Sequence, residues 1–170
     1  LSLFEGGVRV PFMMRWPAGL PPGRKVEKPV THIDLFRTIA SATGAALPER
    51  KIDGVDLLPI ANGAGPLGRA DDAIYWQSGT YWAVRAGDWK YQIDQKQNKS
   101  WLFNLAEDPT EQRNLIGKEP DRAKRLLALL KKHHKGRKLL YPASTLMPVM
   151  IDKTLADTYE EGDEIIYWPN

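Results

Sequence analysis

Five groups of residues in this 170-residue chain have types and spacings that chemistry uses. Glu5 and Arg9 bracket the pair Gly6-Gly7, a charged pair that could orient loops beside a backbone free of Cβ atoms, which permits close approach or positive φ. The same two side chains would equally make a structural ion pair at the entrance of a strand. His32 has the intrinsic pKa of a proton shuttle, but it stands where a hydrogen-bonded histidine would begin a helix. His133 and His134 are adjacent and cannot share one helical face, so a common metal site is not expected. Exposed at a helix end between lysines, they would complement its dipole. Trp76, Tyr81, Trp82 and Trp89 could stack on a sugar or an aryl group or fill a core. Alternation makes Trp82 and Trp89 core candidates, and Tyr81, at a hairpin start, is the better candidate for a substrate rim. The run Arg122, Lys124, Arg125, Lys131, Lys132, Lys135, Arg137 and Lys138 would attract a polyanion or form an ordinary solvated helix face.

Composition narrows these options. There is no cysteine, which excludes a disulfide, a thiolate metal site and a cysteine nucleophile within these residues and leaves the redox compartment open. Twenty-four Lys and Arg face 21 Asp and Glu, for a net charge of +3. Such a balance suits an anionic substrate but is also ordinary for a protein surface. No apolar stretch approaches the roughly 18–20 residues that span a bilayer, so nothing here is expected to cross a membrane; neither a membrane nor a nucleic acid is expected as a partner. With 42% hydrophobic residues the chain can bury a real core. Its opening, Leu-Ser-Leu-Phe-Glu-Gly-Gly, has neither an initiator Met nor a helix-start signal, and it reads as the middle of something longer.

The elements follow from periodicity. Val8 to Trp16 is a nearly continuous apolar run, which predicts a strand buried on both faces, with Pro11 at an edge or bulge. From Thr31, Ile33, Phe36, Ile39 and Ala40 recur at helical spacing, with Thr31 or Asp34 as cap and Gly44 as the stop. Leu47 to Pro59 reads as an ordered loop with a short helix. Asn62 to Gly68, rich in Gly and Pro, reads as a boundary. Beyond it the period becomes two, and four short antiparallel strands are expected near 73–76, 81–85, 89–94 and 101–105, with a tight turn at Ala86-Gly87-Asp88. Asp108 to Leu115 reads as a turn into a capped helical segment. Pro120 and Asp121 open a helix whose stripe Ala123, Leu126, Leu127 and Leu130 should lie on the sheet, ending at Gly136. The opening strand would need neighbours that the first half of the chain does not supply.

Five segments taken together resemble one family. They are Glu5-Gly-Gly-Val-Arg-Val-Pro11 with Arg15-Trp16-Pro17; His32-Ile-Asp-Leu-Phe-Arg-Thr38 with Ala42-Thr-Gly44; Asp53-Gly-Val-Asp-Leu-Leu-Pro59; Ala83-Val-Arg-Ala-Gly-Asp-Trp-Lys90; and Leu105-Ala-Glu-Asp-Pro-Thr-Glu-Gln-Arg-Asn-Leu115. In this order they resemble the C-terminal portion of a sulfatase, arylsulfatase-like and of the alkaline-phosphatase superfamily. Arg37 departs from the pattern, standing where sulfatases usually carry proline.

The resemblance implies an α/β fold with an α+β small domain. Residues 1–65 would be the edge of an alkaline-phosphatase-like α/β domain, 66–140 a four-stranded antiparallel sheet packed on a C-terminal helix, and 141–170 an extension. It implies a parent enzyme, a sulfuric ester hydrolase, that uses calcium and a formylglycine made from Cys or Ser within a C/S-x-P-x-R motif. None of Ser2, Ser41, Ser78, Ser100 or Ser144 is followed by x-Pro-x-Arg. No catalytic and no metal residue is therefore assigned here, and the chain alone is expected to be inactive. Tyr81, Trp82, Glu5 and Arg9 are the candidates for a substrate rim. The implied partners are an N-terminal sulfatase domain of the same protein and a sulfated small molecule or glycan, and the implied compartment is periplasmic or extracellular. A phosphodiesterase or phosphonate monoester hydrolase of the same superfamily is the alternative enzyme. A non-catalytic module that binds sulfated glycans through the basic helix is the alternative outside enzymology.

Overall fold

The computed structural model describes residues 3–135, which form two compact units: Val10 and the residues before it together with Ala73 onward, and Pro11–Asp72. The grouping of residues 1–65 is thus divided, because the first ten residues belong with the sheet. Gly136, Arg137, Lys138 and the 141–170 extension lie outside the described residues.

In the sheet unit, β1 (Ala73–Ser78), β2 (Tyr81–Ala86), β3 (Trp89–Asp94) and β4 (Lys99–Asn104) form an antiparallel meander in the order β1-β2-β3-β4. The β2–β3 hairpin is the two-residue turn Gly87-Asp88, with Ala86 opposite Trp89 and Gly87 at a φ of 58°. That left-handed value is one glycine adopts without strain. Helix α4 (Pro120–His134) has Pro120 in its first turn and Asp121 beside it. Its residues Ala123, Leu126 and Leu130 close a core with Ala73, Val84, Tyr91 and Leu102 on one face of the sheet. Trp82 and Trp89 are half-buried at the margin of this core.

The other face departs from the expected polar-out alternation. Lys90 and Gln92 of β3 are completely buried, on the side that carries Trp101 and Phe103 of β4. They are covered by the one-turn helix α1 (Glu5–Val8), by the residues before it, and by the loop after β4. Phe4 meets the Trp101 and Phe103 rings at centroid distances of 5.9 and 5.8 Å. The strands are therefore buried on both faces. The loop 105–119 contains no helix, contrary to the expectation for Asp108–Leu115. It folds as turns in which Asp108 Oδ1 and Oδ2 accept the amides of Gln112 and Arg113 at 3.0 and 2.7 Å. Asn114 Oδ1 accepts the Leu102 amide while its Nδ2 donates to the Ser100 carbonyl, so one side chain occupies the free edge of β4.

The second unit holds α2 (Asp34–Thr43) and α3 (Leu58–Asn62). Gly44 ends α2 at a φ of 70°, as its position predicts. The expected strand over Val8–Trp16 does not form. Val8 belongs to α1, and Arg9 to Trp16 run without regular structure. All four described strands belong to the other unit, so this segment has no ladder to join. Its side chains are accordingly bare, Val10 at 75% and Met13 at 88% exposure.

Helix α2 is also reversed with respect to its apolar stripe. Ile33, Phe36 and Ile39 are exposed, whereas Asp34, Thr38 and Ala40 are buried. Among the described residues, every large hydrophobic side chain left exposed lies between Val10 and Leu47. Asp34 does not serve as a cap; its buried carboxylate accepts the Thr31 and Val55 amides at 2.8 and 3.0 Å and pairs with Arg69 at 2.5 Å. Thr38 Oγ1 donates to the Asp34 carbonyl and accepts the Leu57 amide. Gly54 lies so close to α2 that an added Cβ would meet the Ile33 carbonyl oxygen at 2.1 Å.

Truncating a core contact should separate these two classes of apolar residue. Leu130→Ala, at a fully buried position, is expected to lower the unfolding free energy in urea by about 2–5 kcal/mol. Ile39→Ser on the exposed stripe should change it by no more than about 0.5 kcal/mol.

Candidate functional site

Of the four residues proposed for a rim, two faces of the sheet and the N-terminal turn each take a share. Tyr81 and Trp82 are consecutive in β2 and so lie on opposite faces. Trp82 is on the α4 side, its ring 4.0 Å from that of His134, and Tyr81 is on the other, edge-on to Trp101 at 6.2 Å. Glu5 is buried and Arg9 exposed, and they make no ion pair with each other. His32 is exposed. His133 and His134 are not the exposed pair expected from their lysine neighbours. Both are half-buried, and His133 stacks on Tyr75 at 3.7 Å with the planes 5° apart. The last turn of α4 leans on aromatic side chains of the sheet, and that outweighs the polarity of its sequence.

The densest polar constellation among the described residues is instead built around Lys90. Its Nζ, with the side chain wholly buried, donates to Glu5 Oε1 at 2.8 Å and lies 3.0 Å from Glu111 Oε1. The Glu5 backbone N–H donates to Glu111 Oε2 in a short contact. Gln92 Nε2 donates to Glu111 Oε1 at 2.9 Å, and the Tyr81 hydroxyl donates to Gln92 Oε1 at 2.5 Å. Arg85 Nη1 approaches Glu5 Oε2 at 3.5 Å, and the Trp76 ring lies 5.7 Å from the ammonium. Two carboxylates and two cations thus balance inside the fold, as buried charges must.

The members are brought together by two strands, the N-terminal turn and the loop after β4. Lys90, Gln92, Tyr81 and Arg85 project from one face of β2 and β3. Glu5 is fixed because its helical turn packs through Phe4 on β4. Glu111 has a φ of 58°, uncommon for a residue with a Cβ, and its carboxylate is held by three donors. Burial pushes the Glu111 carboxyl above its ordinary 4.5, with Lys90 and the Glu5 amide pulling the other way. Burial, then the Glu111 and Asp94 carboxylates, also raise the Tyr81 phenol above its ordinary 10, keeping it a donor.

A general acid or base must come within hydrogen-bonding reach of a substrate. Lys90 is 0% and Glu111 1% exposed, so this network is a fastening. It ties the N-terminal turn to a strand residue 85 positions further on and to a loop residue 106 positions further on. Together with the Asp34 hub, it shows what the five recognised segments do in the fold. Glu5, Lys90 and Glu111 come from three of them, and Asp34, Thr38, Val55 and Leu57 from the other two.

Sequence alternation concealed Lys90 and Gln92, which it assigned to the solvent side, and it gave Glu111 no chemical role. A signal was present in Lys-x-Gln between aromatic residues on a strand, but its meaning depends on Glu5, far away in the chain. Among the described residues no cluster of three or more His, Cys, Asp or Glu could hold a metal ion. The buried Arg69 Nε has no acceptor among the described residues.

A family model described as the C-terminal region of N-sulphoglucosamine sulphohydrolase matches residues 2–138. Similar curated proteins include Rattus norvegicus steryl-sulfatase, 49% identical over 63 residues covering 36% of this chain and 11% of that protein. Bos taurus arylsulfatase A is 31% identical over 147 residues, covering 68% of this chain and 27% of the relative. Among solved structures, a Bacteroides thetaiotaomicron protein described in connection with the metabolism of multiple glycosaminoglycans superposes with a TM-score of 0.65 at 27% identity, over 78% of this chain and 30% of that one. The Agrobacterium radiobacter phosphonate monoester hydrolase gives a TM-score of 0.50 at 25% identity, over 65% of this chain and 27% of that one. The chain thus spans between 11% and 30% of the length of these proteins.

Removing the ammonium from the network should be costly. Lys90→Met leaves two buried carboxylates facing each other and is expected to reduce stability to urea by about 3–5 kcal/mol. The pH response follows from Glu111: a carboxyl raised on folding binds more protons folded than unfolded, so its contribution is greatest below 4.5 and is lost as pH climbs through the raised value. Glu111→Gln, measured by urea unfolding across that window, should flatten this decline. It should also cost about 1–3 kcal/mol by turning an amide donor toward donors.

Proposed function

The chain belongs to the sulfatase family, of which it is a C-terminal portion, and on that premise we propose that the whole protein hydrolyses sulfate esters with groups contributed by residues upstream of this chain. The observation that carries the reading is the match over residues 2–138, joined to a fold in which the recognised segments serve as scaffold. Sulfatase chemistry of the kind the resemblance implies needs a formylglycine and calcium. This chain has no cysteine and none of its serines is followed by x-Pro-x-Arg, so the formylglycine, and with it the calcium, is assigned to the upstream part. When bound there, calcium would neutralise sulfate charge as it develops. The contribution of this chain is to hold its N-terminal turn in one place through Lys90 and Glu111.

The upstream part would also supply the missing cover. Phe12, Met13, Phe36 and Ile39 are left bare while Asp34, Thr38 and Ala40 are buried, and apolar side chains exposed in this number are what a partner would cover. An α/β body of the same polypeptide is the partner that the family implies, and the orphan Arg69 Nε supports a neighbour that brings an acceptor. The alternative of phosphonate ester hydrolysis is less supported, since that likeness stands at 25% identity and a TM-score of 0.50.

Two measurements check this. The 170-residue chain should show no turnover of 4-nitrophenyl sulfate, and the same chain joined to its encoded upstream residues should show it; turnover by the chain alone, or none by the longer protein, would sink the reading. Phe36→Glu should leave the stability of the chain within about 0.5 kcal/mol. In the longer protein it should cost about 2 kcal/mol or more, through an unpaired buried charge.

A further inference from the structure

Helix α4 gathers its lysines on its solvent side, an arc that also holds Ala128 and, in the first turn, Asp121. Ala123, Leu126 and Leu130 face the sheet. At about 100° per residue, Lys124, Arg125, Lys131 and Lys132 fall within about 120° of arc on the opposite side. All four are exposed, as is Lys135 at the C-cap. None of these five side chains has an ion-pair or hydrogen-bond partner among the described residues. At about 1.5 Å per residue the row runs about 16 Å, and Lys124 and Lys131 stand about 10 Å apart, the order of one disaccharide repeat of a linear glycan. The carboxylate of Asp121 lies in the first turn, at one end of the row. The other cation of the helix, Arg122, is committed elsewhere, stacked 4.0 Å from the Trp89 ring and near Glu119.

We propose that this face of α4 is a docking surface for a linear polysulfated polysaccharide, which makes the substrate of the whole protein a polymer. The choice of sulfate over other anions rests on the sulfatase reading; the surface itself rests on the charge row. Single-stranded nucleic acid fits it less well, because the exposed arc carries no aromatic on which a base could stack. The aromatic contacts of the helix, His133 with Tyr75 and His134 with Trp82, are on its sheet side.

The test uses the 170-residue chain on immobilised heparin in a salt gradient. Elution above about 0.5 M salt is expected, where the screening length has shrunk to a few ångströms and diffuse attraction is lost. Charge reversal at Lys124→Glu, Lys131→Glu and Lys132→Glu together should bring elution forward by about 0.2 M or more with an unchanged urea midpoint. Wild-type elution at low salt, or equal retention of a folded triple variant, would overturn the proposal. So would equally salt-resistant binding of duplex DNA or of anionic phosphatidylserine vesicles, which would mark a face for a different class of partner. In the longer protein the triple variant should raise KM for polysulfated chains about tenfold and leave 4-nitrophenyl sulfate kinetics unchanged; an equal loss on both substrates would count against docking. Absence of all sulfate hydrolysis would refute the sulfatase reading instead, and the heparin and DNA results would still decide the docking face.

Discussion

A lysine ammonium with no exposure to water, held between two carboxylates, is the constraint on which the sheet unit depends. Taking an ion out of water costs several kcal/mol even after the surroundings relax, so Lys90 is tolerable only when Glu5 and Glu111 are both in place. Glu5 comes from the first turn of the chain and Glu111 from the loop after β4. The sheet therefore cannot close its second face with β-strands alone. Native pairing of Lys90 requires that the N-terminal turn has come back across a gap of 85 residues. The interaction need not stabilise in net terms, since buried ion pairs are often no better than apolar packing; its effect is to forbid any arrangement in which a member is missing.

The surrounding groups follow from that demand. Arg85 balances the second carboxylate, Gln92 bridges Glu111 to Tyr81, and the phenol, raised by burial and neighbouring anions, remains a neutral donor. Asp34 plays a comparable part in the other unit, where amides from two separate loops and one guanidinium converge on a buried carboxylate. Polar residues fix loops that have too little regular structure to fix themselves. The apolar residues of the same unit are left free to face outward, and this is the physical basis for assigning them a partner.

How much of this could be seen in advance differs from element to element. The meander was legible because strands of six residues with period-two patterning and a glycine turn depend on local preferences, and α4 because Pro120, Asp121 and its leucine stripe are local too. The run Val8–Trp16 was misleading for the same reason. Apolar composition announces burial but does not create a ladder, and without one the segment stays irregular. Likewise Ile33, Phe36 and Ile39 have the spacing of a buried face, whereas Asp34 and Thr38 make the hydrogen bonds that determine which side of α2 turns inward here. Of the rim residues, Trp82 and Tyr81 were separated onto two faces by simple alternation, but what covers each face could not be read from β2.

Taken alone, the sequence determined the strands, their turn, the C-terminal helix, the absence of a thiol and the resemblance carried by five segments, since each depends on neighbours within a few residues. Only the tertiary structure decided that Lys90 and Gln92 are interior, that Glu5 belongs with the sheet, and that Glu111 has a role at all. The reason is range. Burial of a charge is governed by the charges that meet it in space, and here they are supplied by positions 85 and 21 residues away along the chain.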